Sequence, residues 1–174
     1  KNISYHYDLG NEFYRLWLDE TMTYSSAIFQ NPQESLEAAQ RRKYASMIDQ
    51  MGAQAGYHVL EIGCGWGGFA ITAAKEFGAK VTSITVSKAQ AEHARERVFK
   101  AGLTEQVEIR LQDYRDVQGR FDRIASIEML EAVGERFWPA FFTGLRDRLL
   151  VGRAGVDKGA LGVLQPRVAD ETLA

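Results

Sequence analysis

The stretch HVLEIGCGWGGFA, His58 to Ala70, decides the fold. A short apolar run enters a cluster of glycines at 63, 65, 67 and 68, and apolar residues resume at Phe69. That order predicts a strand over 58–62, a tight loop, and a helix over 67–77. Gly63 and Gly65 allow the turn, and Gly67 or Gly68 lets the helix pack close to the sheet. Cys64 and Trp66 are the unexpected members, because a thiol and a bulky ring stand where backbone closeness matters most. In open α/β sheets such a loop lies beyond the carboxyl ends of the strands and brings backbone N–H groups against a ligand.

Outward from this loop the same alternation repeats. Strands are expected at 80–85, 107–111, 120–127 and about 160–165, and helices at 87–101 and 135–150. Ser87 reads as an N-cap, and Gly78 and Gly102 as helix stops. Short strand–helix steps of this kind predict a Rossmann-like, doubly wound α/β sheet. Little chain follows the fifth strand, so the sheet is expected to be truncated there. Upstream, Asn31-Pro32 marks a turn, and 33–51 has helical spacing of Leu36, Ala39, Tyr44, Met47 and Ile48. The chain therefore reads as one domain: an N-terminal helical lid over 1–52, a Rossmann-like core over 53–165 and a tail over 166–174.

Composition narrows the function classes. With 174 residues and 45% hydrophobic content, the chain has enough material for one core and too little for two ordinary ones. Lys and Arg number 21 against 23 Asp and Glu, with no long basic run, which argues against nucleic acid as a partner. A single Cys excludes an internal disulfide and, with three His, argues against a metal cage; a reducing cytoplasm suits it. No apolar run reaches about 18 residues and no charged-then-apolar leader opens the sequence. A cytoplasmic protein is expected, with peripheral contact to the inner face of the membrane still open.

The second strand runs into SITVSKAQ. A dinucleotide site would place an acid there for the ribose, but Thr85, Ser87 and Gln90 occupy the region instead, which weakens a nicotinamide reading. The E-x-G-x-G-x-G loop resembles motif I of S-adenosylmethionine-dependent methyltransferases. Further stretches narrow the resemblance: YHYDLGNEFYRLWLDETMTYSSAIF (Tyr5 to Phe29), LEAAQRRK (Leu36 to Lys43), ITVSKAQ (Ile84 to Gln90) and RIASIEMLEAVG (Arg123 to Gly134). Together with the loop they resemble the cyclopropane-fatty-acid synthases and the mycolic-acid cyclopropane and methyl transferases, over about 4–150.

The resemblance implies a class I methyltransferase sheet and S-adenosylmethionine as cofactor. It implies that Tyr24 and Ser25 close over the cofactor, that Glu61 polarises the loop and orients the cofactor's amino-acid end, and that Gly63 and Gly65 line its methionine and ribose side. Thr85 and Gln90, with Ser87 beside them, would hold the ribose and adenosine, and Asp113-Tyr114 would flank the adenine. Plainer alternatives remain open at several positions: Tyr24 as a core aromatic, Asp113-Tyr114 as ordinary turn residues, Cys64 as a small buried apolar group.

The implied reaction carries the sulfonium methyl onto a cis double bond of a lipid acyl chain, through a carbocation, and gives a cyclopropane or methyl-branched product. Such a cation needs alignment, a dry pocket and aromatic faces. Candidates are Tyr5, Tyr7, Phe13, Tyr14, Trp17, Tyr24, Phe29, Trp66, Phe137 and Trp138. Ring closure also needs a base. The resemblance assigns that role to a bound bicarbonate, held near Cys64 and by Glu131, the expected catalytic pair. Glu128 stands where many relatives carry Gly; it reads either as sharing a helical face with Glu131 or as a solvated loop carboxylate. Ala132 and Gln165 replace histidines common in relatives and weaken the anion site. Expected partners are unsaturated acyl chains, a membrane surface touched through Tyr14 and Trp17, and a second copy in a homodimer. Two alternatives stand beside this reading: a class I methyltransferase for a small-molecule nucleophile, and a catalytically impaired fragment that binds cofactor or lipid.

Overall fold

The computed structural model describes residues 10–150 and 161–164. Five parallel strands form one sheet: β1 (His58–Ile62), β2 (Lys80–Thr85), β3 (Val107–Leu111), β4 (Arg123–Ile127) and β5 (Leu161–Leu164), in the order β3-β2-β1-β4-β5. The order reverses between β1 and β4, the switch point where ligands of such sheets bind.

Alternation along the strands builds both cores. Val59, Val81 and Ala125 face one side, with Tyr44, Met47, Ile48, Phe69, Ala73 and Val98. Leu60, Ile84 and Ile124 face the other, with Val117, Phe121, Phe141 and Leu145. A period of two requires this split, and β1 is buried on both faces beyond His58 because helices cover both.

The helices are α1 (Asn11–Arg15), α2 (Leu36–Gln50), α3 (Gly68–Phe77), α4 (Lys88–Lys100), α5 (Leu130–Val133) and α6 (Trp138–Arg148). β1, β2 and β3 coincide with the expected ranges, and the remaining differences have local causes. α2 begins at Leu36, after the expected 33, because the Ser35 side chain caps it by accepting from the Ala38 N–H at 3.2 Å. β4 begins at Arg123 because Phe121 bridges to Leu149 instead. Gly78 ends α3 in the left-handed conformation, and Gly102, at a φ of 69°, follows the Ala101 cap of α4, both as expected. Within the expected 135–150 helix, Glu135–Phe137 forms a separate 3-10 turn and the helix proper starts at Trp138.

Trp66 has a structural answer. Its ring is buried with Tyr14 and Met22, the Tyr14 centroid lies 4.9 Å away, and its indole N–H donates to Asn11 Oδ1 at 2.7 Å. Arg97 on α4 donates both to the Trp66 carbonyl at 2.8 Å and to the Thr21 carbonyl at 2.9 Å. The glycine loop thus anchors the N-terminal segment over the sheet. Of the two residues expected at a lipid interface, Tyr14 is buried beneath this anchor and Trp17 is half-exposed. Among the described residues, no helix is long and apolar enough to cross a membrane.

Candidate functional site

One cleft opens at the carboxyl ends of β1, β2, β3 and β4, roofed by residues 22–25 of the N-terminal segment. Counting its open mouth it spans about 880 Å³. Tyr24, Ser25, Glu61, Gly63, Cys64, Gly65, Thr85, Gln90 and Tyr114 all line it, so nine of the twelve expected site residues converge there. Ser87, Asp113 and Glu131 do not.

Each of the nine is placed by its element. Glu61 lies on β1, buried, and accepts a hydrogen bond from the Ser83 hydroxyl on the neighbouring β2. Burial pushes its carboxyl up to about 8, partly offset by that hydroxyl. Gly63 has a φ of 91°, and a Cβ there would lie 2.7 Å from Met129 Cγ. Gly65 has a φ of 48°, yet a Cβ there would meet no atom within 4 Å. The first glycine is needed for fit within the protein, and the second leaves room for something else. Thr85 donates to the Gln90 side-chain oxygen at 2.8 Å and accepts from the Ser87 N–H at 3.1 Å, forming a polar corner at the end of β2.

The three absent residues have identifiable occupations. Ser87 caps α4, its hydroxyl accepting from the Gln90 N–H at 3.3 Å. Asp113 caps the following 3-10 turn and is held by the Arg115 guanidinium at 2.7 and 2.9 Å, which also keeps its carboxyl below the usual range. Glu131 is exposed, because α5 turns Leu130 and Val133 inward. Nor do Glu128 and Glu131 share a helical face, since Glu128 precedes α5.

Cys64 reaches the cleft, but its polar groups are engaged. Its N–H donates to the Ile84 carbonyl at 2.9 Å and its thiol to the Gly65 carbonyl at 3.1 Å, while burial pushes the thiol's pKa up. A bicarbonate held between Cys64 and Glu131 therefore does not fit this arrangement.

Several contributors escaped the sequence reading. Met22, Val86, Gln112 and Met129 complete the walls. Glu128 lines the cleft and is no solvated loop carboxylate: its Oε1 accepts from the Ser26 N–H at 2.9 Å and also from the Ser26 hydroxyl. Its φ is 51°, the conformation glycine would adopt freely. Behind the roof, Lys43 of α2 is buried and donates to the Ser26 carbonyl at 2.9 Å, to the Ser25 hydroxyl and to Gln40 Oε1 at 2.6 Å. Gln40 in turn donates to the Ser25 carbonyl at 2.7 Å. Burial pushes the Lys43 ammonium down to about 8, opposed by the Glu128 carboxylate. Both polar residues fall within the apolar stripe of α2, next to Ala39, Tyr44 and Met47, and that spacing is the signal that could have exposed them.

The chain is similar to several known proteins. The chain is 48% identical over 159 residues to tuberculostearic acid methyltransferase UfaA1 of Mycobacterium tuberculosis, covering 87% of this chain and 37% of that protein. It is 41% identical over 137 residues to the cyclopropane-fatty-acyl-phospholipid synthase of Escherichia coli, covering 79% of this chain and 35% of that one. Among solved structures, mycolic acid cyclopropane synthase CmaA1 in complex with SAH and CTAB superposes with a TM-score of 0.82 at 34% identity, covering 86% of this chain and 52% of CmaA1. The chain thus spans between about a third and a half of the length of these relatives. The five-stranded parallel sheet with its helices matches the class I methyltransferase fold. The family model for mycolic acid cyclopropane synthetase matches residues 1–156, and the chain belongs to that family.

Proposed function

We propose that the chain binds S-adenosylmethionine in this cleft and transfers its methyl group to the cis double bond of an unsaturated lipid acyl chain, yielding a cyclopropane or methyl-branched chain. The observation that carries the reading is the meeting of Tyr24 and Ser25, the glycine loop and the ends of β2, β3 and β4 around one cleft. The names of the relatives support a lipid substrate, and the complex of CmaA1 with SAH supports the cofactor.

The residues present fit the cofactor. Open space beside Gly65 leaves room for a ligand against the backbone. Glu61 would receive the amino-acid end, the Thr85–Gln90 corner the ribose hydroxyls, and Val86, Gln112 and Tyr114 the base. When bound, the cofactor supplies an electrophilic methyl on a sulfonium centre. The protein's part is to align the alkene, to exclude water and to shelter the resulting carbocation. Tyr24, Tyr44, Trp66 and Tyr114 are the aromatic residues of the lining, and ring faces attract positive charge without offering a nucleophilic lone pair. A cytoplasmic enzyme touching the membrane surface is the corresponding setting. The exposed Phe13, Leu16 and Trp17 on and just after α1 supply apolar area for that contact.

Glu61 gives the reading a pH signature. Its folded-state value is raised from 4.5 to about 8, so in the ligand-free protein its neutral form is favoured below about pH 8. Folding stability from this group is complete below about 4.5 and is lost as pH rises through about 8. A cationic cofactor favours the carboxylate, so binding releases a proton. Affinity is expected to rise with pH, by up to about tenfold per unit below 8, and to level off above it. Titration calorimetry across this range checks the slope, and Glu61→Gln should flatten it.

The direct assay uses release of S-adenosylhomocysteine by the purified protein. Vesicles of a cis-monounsaturated phosphatidylglycerol should elicit release, and vesicles of its saturated counterpart should not. Equal release with both would remove the alkene as acceptor.

A further inference from the structure

We propose that Glu128 is the catalytic base: its free carboxylate oxygen accepts the proton that the alkylated acyl chain loses, in place of a bound anion. This deepens the function proposed above and rests on it.

Position is the first argument. Glu128 is the residue immediately after β4, beside β1, at the switch point of the sheet and on the cleft wall. Chemistry on open α/β sheets is placed at such strand ends. Conformation is the second. At a φ of 51°, a glutamate is held in a backbone state that disfavours a side chain by roughly 1–2 kcal/mol. Non-glycine residues kept in such states cluster at functional sites. Orientation is the third. Ser26 donates twice to Oε1, from its N–H at 2.9 Å and from its hydroxyl, which fixes the carboxylate while Oε2 accepts no hydrogen bond from the described residues. The backbone carbonyl of Ser26 is pinned from behind by Lys43 at 2.9 Å.

The alternatives within the cleft are committed elsewhere. Glu61 is the other carboxyl of the lining, and it is tied to Ser83 beneath the glycine loop. Cys64 has its N–H on Ile84 and its thiol on Gly65, and Glu131 lies outside.

The step balances without an external redox partner. The alkene π pair forms a bond to the sulfonium methyl, the thioether leaves neutral, and the second alkene carbon becomes cationic. Glu128 Oε2 then takes one proton from the transferred methyl, and the released C–H pair closes the bond to the cationic carbon as a three-membered ring. Proton loss from the carbon bearing the methyl would instead leave a methylated alkene. C–H bonds beside a carbocation are far more acidic than a carboxylic acid, so a carboxylate can take the proton.

Glu128→Gln tests this, because an amide oxygen still accepts from Ser26 but takes no proton. With S-adenosylmethionine and vesicles of a cis-monounsaturated phosphatidylglycerol, cofactor affinity should stay within about twofold. Cyclopropane or methylated-alkene product should fall by about 10²–10⁴-fold. Residual turnover should shift to a methyl carbinol as water captures the cation, visible by mass spectrometry of the acyl chains. Glu128→Gly guards against a folding artefact: it suits the backbone and should keep or raise the unfolding midpoint while losing the same product, and Glu128→Asp should restore part of it. Native rate and product in either the Gln or the Gly variant overturns the proposal. A loss of cofactor affinity equal to the loss of turnover also overturns it, leaving Glu128 a clamp for the Ser26 segment. If the unmodified protein releases no S-adenosylhomocysteine with unsaturated vesicles, the functional reading fails and this inference falls with it.

Discussion

Gly63→Ala is expected to abolish measurable cofactor binding and to remove a large part of the folding stability. The backbone at Gly63 has a φ of 91°, and a Cβ built there lies 2.7 Å from Met129 Cγ and 2.8 Å from its sulfur. Backbone strain of this kind costs roughly 1–3 kcal/mol, and overpacking against a neighbour roughly another 1–3 kcal/mol. Typical domains have only about 5–15 kcal/mol in hand. Met129 also lines the cleft, so relief of the clash moves the wall on which the ligand rests. Gly65→Ala is the informative partner. At a φ of 48° the new side chain carries backbone strain of roughly 1–2 kcal/mol but meets no atom within 4 Å, so it should lower the unfolding midpoint less than Gly63→Ala does and still weaken binding, because the methyl enters space left for the ligand. Denaturant unfolding and calorimetry on the two variants separate the roles; equal behaviour of both would contradict this account of the loop.

Trp66→Ala should destabilise the protein by about 3–5 kcal/mol, the range for truncating a buried Trp. The ring is 3% exposed, packs on Tyr14 and Met22, and donates to Asn11. Its loss detaches α1 from the sheet, and because Tyr24 and Ser25 lie on the same segment, cofactor affinity should fall as well. Limited trypsin digestion at Arg15 should accelerate in parallel. Trp66→Phe keeps most of the packing and loses the N–H, and should cost only about 1 kcal/mol. Unchanged protection of Arg15 in the Ala variant would show that the N-terminal segment is held by other contacts.

Much of the frame was legible because local signals and tertiary structure agree. The glycine cluster after a β-rich run placed β1, the loop and α3 together, and strict alternation of Val59 and Leu60, or Val81 and Ile84, suits a sheet covered on both faces. Residues next to strand ends, such as Thr85 and Tyr114, reached the cleft for the same reason. What was not legible depended on who bonds to whom across the sheet. The Cys64 N–H is taken by the Ile84 carbonyl of the next strand, a fact that residue types alone do not carry. Glu131 turned outward because a four-residue helix buries Leu130 and Val133 at i, i+3 spacing. Glu128 turned inward because its backbone adopts a conformation expected of glycine. Lys and Gln side chains are ordinarily exposed, yet Lys43 and Gln40 lie on the buried face of α2 and hold Ser25 and Ser26 over the cleft. The expected strand reaching position 165 is seen as 161–164, and Gln165, Tyr5 and Tyr7 lie outside the described residues.

The function proposed for this cleft is methyl transfer to an alkene. Its most direct measurement incubates the purified protein with S-adenosylmethionine labelled in the methyl group and vesicles of a cis-monounsaturated phosphatidylglycerol, followed by mass spectrometry of the released acyl chains. Label is expected in the acyl chain at the former double bond, as one added one-carbon unit, with a matching amount of S-adenosylhomocysteine. Label appearing only in a headgroup or a small-molecule nucleophile, with the double bond intact, would contradict it.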